Sequence, residues 1–372
     1  MQFAVETSPH IRRKDTAGRM LLDVIIGLSP VIIFSFVAFQ FYALRNLLIP
    51  VSTMLIAEYI CVFIRYKAKP EEKKNFALFF HPKAFGFKIV NLLGPIVSGL
   101  IYGLMFPAQD GAMYFYILPL GAIFGTVIAK LLFGGFGNNI FNPAAVGFIF
   151  AKTCFASQMN GAYFNAFADT SITAGATTLG EGGGNLLSLL LGTGYGAIGE
   201  VCKIAIAVGL IYLLIRRVAD WRVVVSYGLT FTLLMLVAGL MKSINTSINP
   251  WEYWLTQILS GGFLFALAFM MTDPVTMPIT PPSRVYFGMI GAIAAVLIRL
   301  FAGAPEGVAY GILIANLAAP ALDYYKWSKT RFGWKHFLGY GILLLASAGI
   351  IAWGLSGSAE PATGIVIGGL GL

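Results

Sequence analysis

The chain has 372 residues, of which 58% are hydrophobic and only 11% are charged, and its mean hydropathy is +0.80. Soluble domains carry about 25% charged residues, so this composition excludes an ordinary soluble domain and predicts a protein that lies in lipid. The net charge of +9 does not indicate a nucleic-acid partner, because the basic residues cluster in the loops between apolar segments.

Apolar segments long enough to cross a bilayer recur along the whole chain. The fifth is short and opens with "NPAA" at Asn142, which is typical of a broken or half-length helix. These segments predict an all-α polytopic membrane protein with about 10–11 transmembrane helices. The predicted spans, in chain order, are 22–42, 47–64, 88–106, 115–133, 141–156, 198–215, 222–241, 253–271, 284–302, 308–325 and 336–354.

The distribution of Lys and Arg predicts the orientation of these spans. The charged lead "SPHIRRKDTAGR" shows no cleavage site, so we expect a retained cytoplasmic segment rather than a signal peptide. With that lead inside, 20 of the 25 Lys and Arg residues fall on the cytoplasmic side. The positive-inside rule favours this arrangement, with anionic lipid as its companion. It places the loop 157–197, which has no Lys or Arg, on the extracytoplasmic face.

Two similar segments indicate an internal repeat. "GAIFGTVIAKLLFGG" at 121–135 resembles "GAIAAVLIRLFAGAP" at 291–305, in the fourth and ninth spans, so the two copies run in opposite directions. We expect an inverted repeat with a site where the halves meet. The whole chain is then one integral membrane domain. Its predicted parts are repeat one at about 20–156, the loop 157–197, repeat two at about 198–326 and an extra span at 336–354.

Three segments rich in Gly, Pro or Asn interrupt the apolar pattern, at 133–147, 271–284 and 314–323. Backbone freed from a helix cannot face lipid, since each unsatisfied group costs several kcal/mol there, so such segments are buried in protein or line a cavity. A helix N-terminus in such a place suits an anion or an electron-rich ring. The alternative interpretation is that the segments are simple turns.

Glu58, Lys130, Arg299 and Asp323 lie within predicted spans, and Lys152 and Lys203 lie near the outer ends of theirs. Charges are costly in lipid and mark function or pairing. Glu58 lies closest to mid-membrane, and two interpretations of it are open. It is either a carboxylate linked to ion transport or one half of an ion pair with a neighbouring subunit, and the ion pair is favoured. Those nearer to span ends, such as Lys130, Lys203 and Asp323, can extend to the interface.

The sequence contains no catalytic set and no metal site. The three cysteines lie in apolar spans without a CxxC or Cys/His cluster, and no HExxH, Walker or Rossmann pattern is present. Redox chemistry in this chain would need a bound cofactor.

The outward loop contains a polar, glycine-rich stretch, "DTSITAGATTLGEGGG" at 169–184. Together with "FGGFGNNIFNPAAVG" and "MTDPVTMP", it resembles the NqrB/RnfD family over essentially the whole chain, and the short N-terminus is more like the RnfD branch. The resemblance implies an inverted-repeat fold related to urea transporters. It also implies a multi-pass subunit of an ion-pumping redox complex in a bacterial plasma membrane.

The resemblance further implies an FMN joined by a phosphoester to a threonine, which a dedicated flavin transferase installs. The family motif ends in Gly-Ala-Thr, which here is Gly175, Ala176 and Thr177, so Thr177 is the implied attachment site. Small neighbours and an exposed loop suit such an acceptor hydroxyl.

The surrounding motif departs from the family pattern. Ala174 stands where Ser or Thr is usual, Ser171 stands where Asp is usual, and Asp169 lies two residues too early. Thr178 and Thr173 therefore remain open as lesser candidates for the modified residue.

Related subunits also hold a non-covalent riboflavin, for which the interrupted segments around Asn142 and Asp273 are the predicted site. The implied function is electron relay through the outer FMN in a ferredoxin:NAD oxidoreductase coupled to Na⁺ or H⁺ transport. Other subunits would carry a further flavin, the iron–sulfur clusters and the NAD site. The alternative is a solute channel or transporter of the same fold without a redox role.

Overall fold

The computed structural model describes residues 16–65, 89–109, 111–135, 137–159, 186–193, 196–245, 248–302, 307–324, 328 and 331–356. Within these residues the structure is α-helical, and the only β-type pairing is an isolated bridge between Pro107 and Ala197. Five of the helices are long and apolar enough to cross a membrane by themselves, and four shorter apolar helices accompany them. The prediction of an all-α polytopic membrane protein is confirmed.

The first half of the chain begins with one long, interrupted helix. Its 49 residues would reach about 74 Å if straight, more than twice the thickness of a bilayer core. The backbone leaves helical geometry at Gln40, where φ is 43°, so the first two predicted spans are the two parts of this helix. The elements are α1 Ala17–Arg65, α2 Ile89–Leu104, α3 Tyr114–Thr126 with a π-helical continuation Val127–Leu131, α4 Pro143–Cys154 and the short α5 Ala156–Met159.

The second half follows the predicted order with one difference. Its elements are α6 Leu186–Leu191, α7 Lys203–Ile215, α8 Trp221–Asn245, α9 Pro250–Leu259, α10 Phe263–Phe269, α11 Pro281–Phe301, α12 Gly307–Leu322 and α13 Trp334–Ser356. Each predicted span overlaps helix, although the helix of the sixth span begins at Lys203 rather than at residue 198, and the fifth is the expected half-length helix, α4. The eighth span, predicted as continuous over 253–271, is instead divided into α9 and α10.

Tandem glycines cause this break. Gly261 and Gly262 adopt φ angles of +73° and +68°, which only glycine adopts at little cost, and α9 therefore ends before them. The Arg299 guanidinium of α11 donates to the carbonyls of Gln257 (2.9 Å) and Gly261 (2.6 Å) and lies 5.2 Å from the Phe231 ring centroid. The freed backbone is thus satisfied by a buried arginine rather than by lipid, which contains no donor.

Both halves of the chain contain a close helix crossing built from glycine. A Cβ added at Gly147 would lie 2.5 Å from the Gly121 carbonyl, where α4 crosses α3. A Cβ added at Gly311 would lie 2.6 Å from the Gly291 carbonyl, where α12 crosses α11. Small residues allow such approach between membrane helices. The crossings pair corresponding segments of the proposed repeat, while the inverted relation and the division into repeats stay predictions.

Candidate functional site

A cavity of about 240 Å³ lies where the two halves meet, on the side of the protein where α4 begins. It contains both predicted site residues of the described chain, Asn142 and Asp273, so two of the interrupted segments, 133–147 and 271–284, line a cavity. The prediction that 314–323 is interrupted is wrong, because residues 314–322 are continuous helix in α12. Its apolar lining comes mainly from the start of α1 and from α2. The polar side chains that line it are Ser98, Lys130, Asn139, Asn142, Thr272 and Asp273.

Asn142 holds the start of α4 in place. Its side-chain oxygen accepts from the amides of Ala144 (3.0 Å) and Ala145 (3.4 Å), which is an N-cap, and Pro143 occupies the first helical position. The backbone N–H of Asn142 donates to the side-chain oxygen of Asn316 on α12, at 3.0 Å. The half-helix therefore begins inside the protein, directs its positive end at the cavity and is tied to the other half of the chain.

Asp273 lies in the segment between α10 and α11. Its carboxylate accepts from the Val275 amide at 3.1 Å and from the Thr276 hydroxyl at 3.3 Å. Burial raises the pKa of the Asp273 carboxyl, and those two hydrogen bonds and the charge of Lys130 oppose the rise. The segment thus presents an enclosed carboxyl to the cavity.

Glu58 and Lys130 form a buried ion pair next to this carboxyl. Their side-chain atoms are 3.0 Å apart, and only 0% and 4% of the two side chains are exposed. Asn91 of α2 donates to the other Glu58 oxygen at 3.1 Å. The expectation that Lys130 extends to the interface is wrong, because the π-helical turn that carries it directs the side chain inward to Glu58. The favoured pairing of Glu58 with a neighbouring subunit is also wrong, since its partner lies in the same chain.

Two further charges differ from the sequence-based expectation. Lys203 is buried at the start of α7 rather than extended to the interface, and its amino group donates to the Glu200 carbonyl. Asp323, just after α12, accepts from the Ile279 amide with both oxygens, at 3.1 and 2.9 Å. It thereby holds the end of the segment that carries Asp273.

Sequence reasoning missed Asn139 and Asn316. Asn139 is buried, lines the cavity and precedes Asn142 by three residues in "GNNIFNP", so its spacing was a usable signal. Asn316 is fully buried, and only its place in the predicted counterpart of the α4 segment could have indicated its role. Clusters of three or more His, Cys, Asp or Glu side chains suited to a metal do not occur in the described part of the chain.

The predicted flavin loop falls mostly outside the described residues, including Thr177, Gly175, Ala176 and Asp169, and the lesser candidates Thr173 and Thr178. Its described ends are informative. Met159 and Ala197, on either side of the loop, both line a second, smaller cavity of about 70 Å³ at the opposite end of α4. The loop therefore starts and ends at the rim of that cavity.

These features define a class: a polytopic membrane protein whose half-length helix and broken segments enclose a cavity beside a buried ion pair. A model of the NQR2, RnfD, RnfE family matches residues 4–333, and the chain belongs to this family. The resemblance inferred from its motifs is confirmed.

Individual relatives agree with this assignment. The chain is 35% identical over 245 residues to a subunit of a Na⁺-translocating NADH-quinone reductase from Chromohalobacter salexigens, covering 62% of this chain and 58% of that relative. It is 28% identical over 332 residues to a subunit of a Na⁺-translocating ferredoxin:NAD⁺ oxidoreductase complex from Acetobacterium woodii, covering 87% and 94%. The chain thus spans less than two thirds of the quinone-reductase protein and nearly all of the other relative.

Proposed function

We propose that this chain is a membrane subunit of an ion-translocating ferredoxin:NAD oxidoreductase complex and carries two flavins. The observation that carries the proposal is the cavity, which brings Asn142, Asp273 and the Glu58–Lys130 pair together between the two halves. The names of the relatives support a redox complex that moves Na⁺, and the relative matched over most of its length belongs to a ferredoxin:NAD⁺ oxidoreductase complex. NAD and iron–sulfur sites would belong to other subunits.

The cavity suits a non-covalent flavin such as riboflavin. Its volume of about 240 Å³ lies somewhat below the lower end of small-molecule sites, at roughly 300 Å³, so a flavin would need a small outward shift of the lining. Apolar side chains from α1 and α2 offer a surface to a planar ring system, and the side-chain amides of Asn139 and Asn142 offer polar partners to its heteroatoms. A bound flavin would supply electron transfer, which no described side chain provides.

The buried charges suit a coupled cation. Glu58 pairs with Lys130, and the Asp273 carboxylate is close enough to interact with the same ammonium, so with all three ionised the group has one negative charge in excess. A carboxylate pair with one resident ammonium can take up a monovalent cation when that ammonium moves or loses its proton. The coupling ion in this proposal is Na⁺ or H⁺.

The second flavin in the proposal is FMN, linked through its phosphate to Thr177. The chain would be co-expressed with a flavin transferase, purified and run on a denaturing gel under ultraviolet light. We expect a fluorescent band that disappears in Thr177→Ala and persists in the matched controls Thr173→Ala and Thr178→Ala. A wild-type chain without a flavin-sized mass adduct would refute the redox proposal and leave the channel alternative.

The inner flavin can be tested separately through two helix caps. Asn142→Ala removes the cap of α4 at the cavity, and Asn249→Ala removes the equivalent cap of α9, whose side chain accepts from the Trp251 amide at 3.1 Å. Each loss costs about 1 kcal/mol of stability. We expect only Asn142→Ala to lower the riboflavin that is extracted from the native protein. Equal flavin content in both variants would contradict the assignment of the cavity.

The orientation in the membrane is a further part of the proposal, with the N-terminus cytoplasmic and the Thr177 loop extracytoplasmic. A cysteine introduced as Gly182→Cys, in a background without Cys61, Cys154 and Cys202, should react with an impermeant maleimide from outside in intact cells. Labelling only after the cytoplasmic side is opened would reverse the topology.

A further inference from the structure

The turn between α7 and α8 carries an unusual concentration of arginine. Six charged side chains meet there, four of them basic and two acidic, which leaves a surplus of two positive charges: Asp23, Arg216, Arg217, Asp220, Arg222 and Arg284. The aspartates are engaged within the protein. Asp23 accepts from Arg216 at 3.2 Å, and Asp220 pairs with Arg222 at 3.3 Å and with Arg284.

Arg217 is the outlier in this group. Its φ of 57° lies in the left-handed region, and it follows the end of α7 at the position that glycine normally occupies. The Val218 backbone N–H donates to the Leu213 carbonyl at 3.0 Å and completes this turn. The Arg217 side chain is exposed, and it makes no hydrogen bond or ion pair with the residues that the structure describes. A strained conformation retained by a residue with no internal partner points to an external one.

Two apolar stripes run from this turn into the membrane. On α7, exposed residues recur at Ile204, Val208, Ile211 and Ile215, and on α8 they recur at Trp221, Val225, Leu229 and Leu233. Both stripes follow the spacing of one helix face. The exposed Trp221 lies at the apex, with the Arg222 guanidinium 5.3 Å from its ring centroid, and aromatic residues in such a place anchor to the headgroup region.

The two helices that carry the stripes do not pack side by side. In the described chain, α7 packs mainly on α1 and α8 mainly on α11, while α10 lies between them and contacts both. Gly209 of α7 approaches Phe269 of α10, and Gly228 of α8 approaches Leu267. The stripes therefore lie on the exposed sides of two helices that meet at the arginine-rich turn, while the buried helix α10 packs between the two.

We propose that the turn and its two stripes bind one anionic glycerophospholipid from the adjacent leaflet, with its phosphodiester at Arg217 and its acyl chains along the two stripes. Charge complementarity selects an anionic headgroup, since Arg217 supplies a guanidinium and the turn a positive surplus. The apolar stripes require a ligand with chains rather than free phosphate. This proposal is independent of the flavin chemistry.

The test compares lipids retained by the purified full-length chain. Protein equilibrated in detergent with equal amounts of phosphatidylglycerol and phosphatidylcholine would be analysed by native mass spectrometry. We expect the wild type to retain phosphatidylglycerol preferentially and Arg217→Gln to lower that preference about fivefold, the value for one basic side chain near an anionic lipid. The matched control is Arg331→Gln, which removes another exposed arginine ahead of α13 and should leave the preference unchanged.

Arg217→Gly separates lipid binding from folding. Glycine relieves the left-handed strain, so this variant should unfold at an equal or higher temperature in neutral detergent while it loses the same lipid preference. An unchanged preference in either Arg217 variant would overturn the proposal, as would an equal loss in Arg331→Gln. Displacement of the lipid by millimolar inorganic phosphate would assign the turn to free phosphate instead. A photo-crosslinker at position 221 that attaches to another subunit in the intact complex would assign this surface to a protein partner.

Discussion

The buried ion pair between Glu58 and Lys130 allows a quantitative prediction. At 3.0 Å and an effective dielectric constant of about 20, the attraction amounts to roughly 5–6 kcal/mol, which is offset by the cost of burying both charges. Removing one partner leaves the other charge buried without compensation, which typically costs about 3–5 kcal/mol. Lys130→Met leaves Glu58 with only the Asn91 amide as a described partner, so we expect a loss of that size.

A double-mutant cycle measures the coupling between the two residues. The free energy of unfolding would be followed for the full-length chain in mixed micelles with increasing dodecyl sulfate. Glu58→Gln combined with Lys130→Met should lie within about 1 kcal/mol of the wild type, because neither charge of the pair remains and the Asp273 carboxylate keeps its two hydrogen bonds. Lys335→Met, which removes an exposed lysine of α13, is the control. If each single variant lost less than about 1 kcal/mol, or if the double variant lost the sum of both, the pair would not be buried as described.

The other predictions concern the glycine crossings and the broken eighth span. Gly311→Ala places a methyl group 2.6 Å from the Gly291 carbonyl and should lower the free energy of unfolding by about 1–3 kcal/mol in the same assay. The control Gly341→Ala, with nothing within 4 Å of the added methyl group, should be neutral or slightly stabilising. Equal effects of the two substitutions would contradict the close crossing. Arg299→Met leaves the Gln257 carbonyl without its donor and should cost about 2–4 kcal/mol. Arg299→Lys should restore part of that stability, and a neutral Arg299→Met would refute the role of the guanidinium.

The sequence predicted the helical segments well because each is a long apolar run, a signal that lipid imposes on every spanning helix. The break at Gly261 and Gly262 escaped prediction for a physical reason. Glycine is common within membrane helices, so two adjacent glycines do not by themselves indicate left-handed backbone. What stabilises the break in lipid is Arg299, about 40 residues away in the chain, whose guanidinium donates to the freed carbonyls.

The candidate site was predictable only where a residue carries a local sequence signal. Asn142 was recognisable because an Asn-Pro pair before an apolar run is a helix start, which is a local signal. The inward direction of Lys130 was not, because a lysine near a span end extends to the interface by default. Its true position depends on the π-helical turn and on Glu58, which is 72 residues earlier in the chain and has no sequence signal that links it to Lys130.

One helix of the second half supports both interrupted segments at the cavity. Asn316 of α12 accepts from the Asn142 amide at the start of α4, and Asp323, seven residues later, accepts from the Ile279 amide at the end of the Asp273 segment. Seven residues are about two helical turns, so the two acceptors follow the same side of the helix axis. Because neither segment can satisfy its backbone in lipid, the position of α12 determines the positions of both. A displacement of α12 would therefore move Asn142 and Asp273 together, which would change the inner cavity and its charges in a single step.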